Sequence, residues 1–161
     1  MTRRRRLELH LSSPEATTML ARELAPRLSP GDTLLLAGPV GAGKSHFARA
    51  LIGALLTGPE DIPSPTYTLV QGYDGHSGPV WHADLYRLGD AGELAELGLE
   101  EAFGTAICVV EWPERLGGMA PEDALELAFS PDDGPETRRL GISWTAPRWD
   151  AVMRELADAA A

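Results

Sequence analysis

One segment constrains this chain more than any other: Gly38-Pro39-Val40-Gly41-Ala42-Gly43-Lys44-Ser45. It follows the pattern G-x-x-x-x-G-K-[ST] in full. Thr33–Ala37, just before it, is a short continuous apolar run that predicts a strand buried on both faces. Residues 44–56, just after it, read as a helix. A strand, a small-residue turn and a helix in that order converge backbone N–H groups and the positive end of a helix dipole on one anion. The Lys44 ammonium then bridges the β- and γ-phosphates of a nucleoside triphosphate, and the Ser45 hydroxyl is a ligand for Mg²⁺. ATP with Mg²⁺ is the expected cargo. Of the 14 basic residues, Lys44 is the sole lysine. An arginine-biased chain thus keeps a compact ammonium at the position where phosphate oxygens crowd.

The remaining pattern alternates strands and helices. Residues 4–11 alternate polar and apolar side chains as a strand does. Ser13 and Pro14 read as the N-cap and first residue of a helix, with Leu20, Leu24 and Leu28 on one face. Residues 58–65 hold prolines that bar regular structure. Residues 66–73 and 80–85 read as strands joined by a turn at 74–78. Residues 90–103 are helical with a break at Gly98, 105–110 form a buried strand, and 151–160 a last helix. Residues 124–129 and 138–144 form a late antiparallel hairpin. The expected architecture is one α/β domain over 1–161, a P-loop NTPase-like three-layer sandwich with a largely parallel central sheet.

Composition excludes several classes. The net charge is −10, with one basic cluster at Arg3 to Arg6, read as a solvated end. An extensive nucleic-acid surface is not expected. The single Cys108 leaves no disulfide framework and no cysteine zinc site. No apolar run has the length of a membrane span, and the start lacks the apolar core of a signal peptide. A cytoplasmic location follows.

A phosphate loop of this kind needs a carboxylate near Mg²⁺, at the end of a neighbouring buried strand. Glu111 ends the apolar run 106–110, and Asp84 ends a weaker version at 80–83. Spacing does not decide which binds the ion and which positions water. Trp112 either stacks at the mouth of the site or anchors the core. His46 and His82 fall near the site, with packing or surface roles expected. Cys108 reads as core.

Four segments taken together, Gly38 to Ser45, Ser64-Pro65-Thr66-Tyr67-Thr68-Leu69-Val70, His82-Ala83-Asp84-Leu85-Tyr86-Arg87-Leu88 and Val110-Glu111-Trp112-Pro113-Glu114, resemble the bacterial TsaE family, also called YjeE. That resemblance implies a slow P-loop ATPase needed to form N6-threonylcarbamoyladenosine at position 37 of tRNAs reading codons that begin with A. It implies action with the TsaB–TsaD pair, and contact with tRNA only through that complex. By position it implies that Gly38, Val40, Gly41, Ala42, Gly43 and Lys44 hold the phosphates, with His46 close by. Ser45 and Glu111 would be the Mg²⁺ ligands, and Asp84 the acid essential for hydrolysis. Thr66 would sit on a switch-like loop facing the γ-phosphate, Trp112 would line the nucleotide site, and Thr17 would approach the nucleoside end. Pro39, Val40, Ser45 and Ala83 depart from residues common in the family, and none removes a catalytic group. Two other readings share the loop: a small-molecule kinase, and a GTP-dependent switch, for which the guanine-reading N-K-x-D string is absent.

Overall fold

The fold is built outward from its most apolar strand. Thr33–Ala37 (β2) has four successive buried residues before its half-buried end. A strand dry on both faces belongs in the middle of a sheet covered by helices. The computed structural model describes residues 3–56, 69–89 and 91–160. It places β2 between Ile107–Glu111 (β5) and Leu125–Pro131 (β6), parallel to both. Gly78–Asp84 (β4) runs parallel to β5 on its other side.

The remaining strands are antiparallel additions. Val70–Gly75 (β3) pairs with β4, Arg138–Trp144 (β7) with β6, and Arg5–Leu11 (β1) with β7. The seven-stranded order is β1-β7-β6-β2-β5-β4-β3. The sheet is therefore parallel in its centre and antiparallel toward both edges. The late hairpin forms as expected; the docking of β1 outside it was not anticipated.

Helices cover both faces. Pro14–Leu24 (α1), Lys44–Leu55 (α2) and Arg148–Ala160 (α5) bury Leu20, Phe47, Leu51 and Trp149 against Leu34, Leu36, Val109 and Leu127. The alternate residues Leu35, Ala83 and Val110 face the other way. There they meet Leu94 of Ala91–Glu96 (α3), Leu99 of Leu99–Thr105 (α4) and Leu116 of a 3₁₀ segment, Pro113–Met119. Strand alternation thus assigns each core residue to one of two layers.

Local chemistry sets the boundaries. The Ser13 hydroxyl accepts the Ala16 N–H at 3.2 Å, and Pro14 opens α1. Gly98, in the left-handed region at φ 78°, breaks the stretch between α3 and α4 where expected. Thr105 ends α4 rather than opening β5, and α5 starts earlier than its apolar spacing indicates. The turn between β3 and β4 shrinks to His76 and Ser77 because pairing continues through Gly75 and Gly78. The basic cluster at the start is not simply solvated: Arg4 is paired with Glu126, and Arg5 meets Asp150 at 2.6 Å.

Candidate functional site

The turn after β2 can be made only with glycine at its bends. Gly38 lies at φ 135°, and a Cβ there would collide with the Phe129 carbonyl. Gly43 lies at φ 104° and caps α2 without any side chain to occupy the helix end. The amides of Lys44, Ser45 and His46 open that helix and have no intrahelical acceptor. Val40 is 77% exposed at the outer lip of the turn, and Ala42 is buried behind it.

Lys44 is the anomaly. Its side chain is buried, yet its Nζ has no hydrogen-bond partner among the described residues. It lies 3.4 Å from the centroid of the Trp112 ring. Burial lowers its pKa, while the charges of Glu111, Glu114 and Asp84 pull the other way. A buried ammonium without an acceptor calls for an anion that completes it.

The acids stand on neighbouring strand ends, Asp84 opposite Glu111 in register. Glu111 is 1% exposed. Its Oε1 accepts the Ser45 hydroxyl at 2.9 Å, and its Oε2 lies 2.6 Å from His82 Nε2. Burial pushes the Glu111 carboxyl up, but His82, then Ser45 and Lys44, outweigh it and hold the group below its ordinary value. Asp84 is half-buried. Burial raises its pKa, Glu111 adds to the rise, and one hydrogen bond from the Tyr86 N–H at 3.1 Å only partly offsets it.

A pocket of about 490 Å³ joins these groups. Of the residues singled out in the sequence, Thr17, Val40, Gly41, Gly43, Lys44 and Ser45 line it. So do His46, Asp84, Glu111 and Trp112. Gly38 and Ala42 shape the turn from behind, and Thr66 lies outside the described residues. His46 Nε2 reaches back to α1, 2.8 Å from Thr18 Oγ1 and 3.1 Å from the Pro14 carbonyl.

Trp112 is at once a lining residue and a packed one. It holds φ 62° and ψ 53°, the one left-handed non-glycine among the described residues. Such backbone strain concentrates at functional sites. Its ring contacts both Lys44 and Tyr86, with the Tyr86 ring tilted against it at 4.9 Å between centroids.

Other participants were given no site role in the sequence. Tyr86, Glu136 and Arg138 also line the pocket, and Arg138 donates to the Gly41 carbonyl at 3.1 Å. His82, expected to fall near the site in a packing or surface role, is near it as the buried partner of Glu111. Its one sequence signal was alternation, since His82 and Asp84 share a face of β4. Among the described residues no helix is long and apolar enough to cross a membrane.

Residues 11–140 match the family model described as threonylcarbamoyl adenosine biosynthesis protein TsaE. Over 117 residues the chain is 42% identical to the tRNA threonylcarbamoyladenosine biosynthesis protein TsaE of Rickettsia conorii, covering 73% of this chain and 67% of that one. Over 154 residues it is 31% identical to the protein of the same name from Bacillus subtilis, covering 94% of each. Among solved structures it is similar to Bacillus subtilis YdiB, with a TM-score of 0.78 and 27% identity over 99% of both chains.

Proposed function

This chain belongs to the TsaE family of tRNA threonylcarbamoyladenosine biosynthesis, and on that premise we propose that it binds ATP with Mg²⁺ in the pocket described above and hydrolyses it slowly in support of the TsaB–TsaD pair. That pair transfers the threonylcarbamoyl group to adenosine 37, and the chain meets tRNA through it. The observation that carries the reading is Lys44: a buried ammonium at the mouth of α2, without a hydrogen-bond partner among the described residues, lining a pocket walled in part by glycine backbone. Phosphate oxygens are the acceptors that such an arrangement lacks.

The donor set suits Mg²⁺, a hard cation that takes oxygen ligands. Ser45 Oγ and Glu111 Oε1, already within 2.9 Å of each other, would hold it. When bound, the ion neutralises charge on the phosphate oxygens. Lys44 would add its own positive charge to the same oxygens. Asp84 has a raised pKa and stands at the adjacent strand end, so it orients the attacking water and accepts its proton. Trp112 and Tyr86 close one wall. With a net charge of −10 and Arg4 and Arg5 already paired, the isolated chain offers tRNA little.

The test is a reconstituted assay that follows phosphate release and tRNA modification with and without TsaB–TsaD, for wild type and Lys44→Ala. Wild type should sustain modification and release free phosphate. Lys44→Ala should lose both by at least about 100-fold. A Lys44→Ala protein that supports modification as wild type does would sink the proposal. A stable phosphorylated small molecule in place of free phosphate would move the reading to a kinase.

A further inference from the structure

His82 has no role in the reading above, yet it is among the most completely buried polar side chains of the molecule. It stands opposite Val109 on β5, two residues before the position where Asp84 meets Glu111. Alternation places His82, Asp84 and Glu111 on one face, the face that packs under α2. From there His82 Nε2 reaches Glu111 Oε2 at 2.6 Å, while Ser45 holds Oε1 at 2.9 Å from above. A glutamate's terminal torsion is broad and sets no preferred orientation by itself. Two donors on opposite oxygens fix it.

The other imidazole nitrogen indicates what the residue is for. Nε2 donates to the carboxylate, and Nδ1 lies on the other side of the ring. It is buried with no hydrogen-bond partner among the described residues. A residue kept for packing alone would avoid that orphan, since an apolar side chain fills the space without it. We infer that His82 is a positioning residue for the divalent-cation site, its Nε2–H clamping one oxygen of Glu111 so that the other stays aimed at Ser45 and the ion. Partners of this kind behind a metal ligand typically matter about 10–100-fold in affinity.

The inference rests on the Mg²⁺–nucleotide reading of the pocket, and the experiment separates the two. Mn²⁺ serves as the probe, titrated by electron paramagnetic resonance into the full chain saturated with ADP. His82→Gln places an amide N–H near the position of Nε2. His82→Asn is polar but too short to reach Glu111, and His82→Leu is apolar. Mn²⁺ affinity should stay within about threefold of wild type in the Gln variant and fall about 10–100-fold in the Asn and Leu variants. ADP affinity without metal should change less than about threefold in all of them, which a general loss of packing would not spare. Asn and Leu variants that hold Mn²⁺ as wild type does would overturn the clamp. So would a Gln variant as weak as Asn. Wild type that binds ADP but no Mn²⁺ would remove the metal reading itself, and the clamp with it.

Discussion

Asp84 and Glu111 are the same chemistry in almost the same place, and their proton affinities move in opposite directions. They end neighbouring parallel strands in register. The more buried of the two, Glu111, is the one held below its ordinary value, and the half-exposed Asp84 is the one raised. Burial pushes both upward. The difference is in their partners: among the described residues Glu111 receives hydrogen bonds from Ser45 and His82, whereas Asp84 receives one from a backbone N–H. A strand-end acid becomes a permanent anion or a proton acceptor according to its donors rather than its depth. The pocket has one of each, the pair that the proposed roles of holding a cation and taking a proton from water would call for.

The largest effect should come from Glu111→Gln. The amide keeps the shape, removes the charge, and presents an N–H to His82 or Ser45. Phosphate release should fall by about 10³-fold. Folding at pH 7 should weaken by about 1–3 kcal/mol, the usual loss when a buried hydrogen bond to a charged group goes. The folded carboxyl of Glu111 lies below 4.5, so its stabilising contribution is complete above pH 4.5 and fades as the pH falls through the folded value. The stability gap between variant and wild type, from urea melts at several pH values, should therefore shrink on acidification below pH 4.5. An unchanged gap would mean that the charge of Glu111 does not stabilise the fold.

Asp84→Asn should separate the two acids. Hydrolysis should fall about 100-fold, within the range for a lost general base. Stability should move the other way. The folded value of Asp84 lies above 3.8, so its ionisation opposes folding at pH 7, and that penalty disappears as the pH drops through the folded value toward 3.8. Thermal melts at pH 7 should show a variant as stable as wild type or more so. An Asp84→Asn protein less stable than wild type would place Asp84 with Glu111 as a structural anion and erase the contrast.

The parts of this site that were legible in the sequence are those whose geometry is local. Gly38 to Ser45 encodes its turn through positive-φ glycines and a helix start, all within one short segment. Glu111 and Asp84 were findable because a buried strand must end somewhere and an acid at that end is conspicuous. The missing pieces depend on register and crossover. His82 meets Glu111 only because β4 and β5 align as they do, and Arg138 reaches Gly41 across 97 positions of chain. The pairing of β1 with β7 likewise joins the two ends of the sequence. Nothing in residues 4–11 names that partner, and the salt bridges that occupy Arg4 and Arg5 follow from it.

Cys108 supplies the smallest effect and the control that the contrast needs. It lies three residues before Glu111 on β5, fully buried, with burial the one cause acting on its proton affinity. Its thiol is pushed up to about 12. The same strand thus carries one acid governed by desolvation alone and another in which donors overrule it. Because the thiolate is the reactive form, native Cys108 should resist a disulfide reagent at about pH 8. It should titrate fully, as one thiol, once the chain is unfolded in urea. The native rate should be slower by about 10³-fold or more, since reaction waits on opening of the sheet. Fast native labelling would show that water reaches the centre of β5. Burial would then not be what holds the Cys108 thiol up, and the strand would no longer carry an acid governed by desolvation alone.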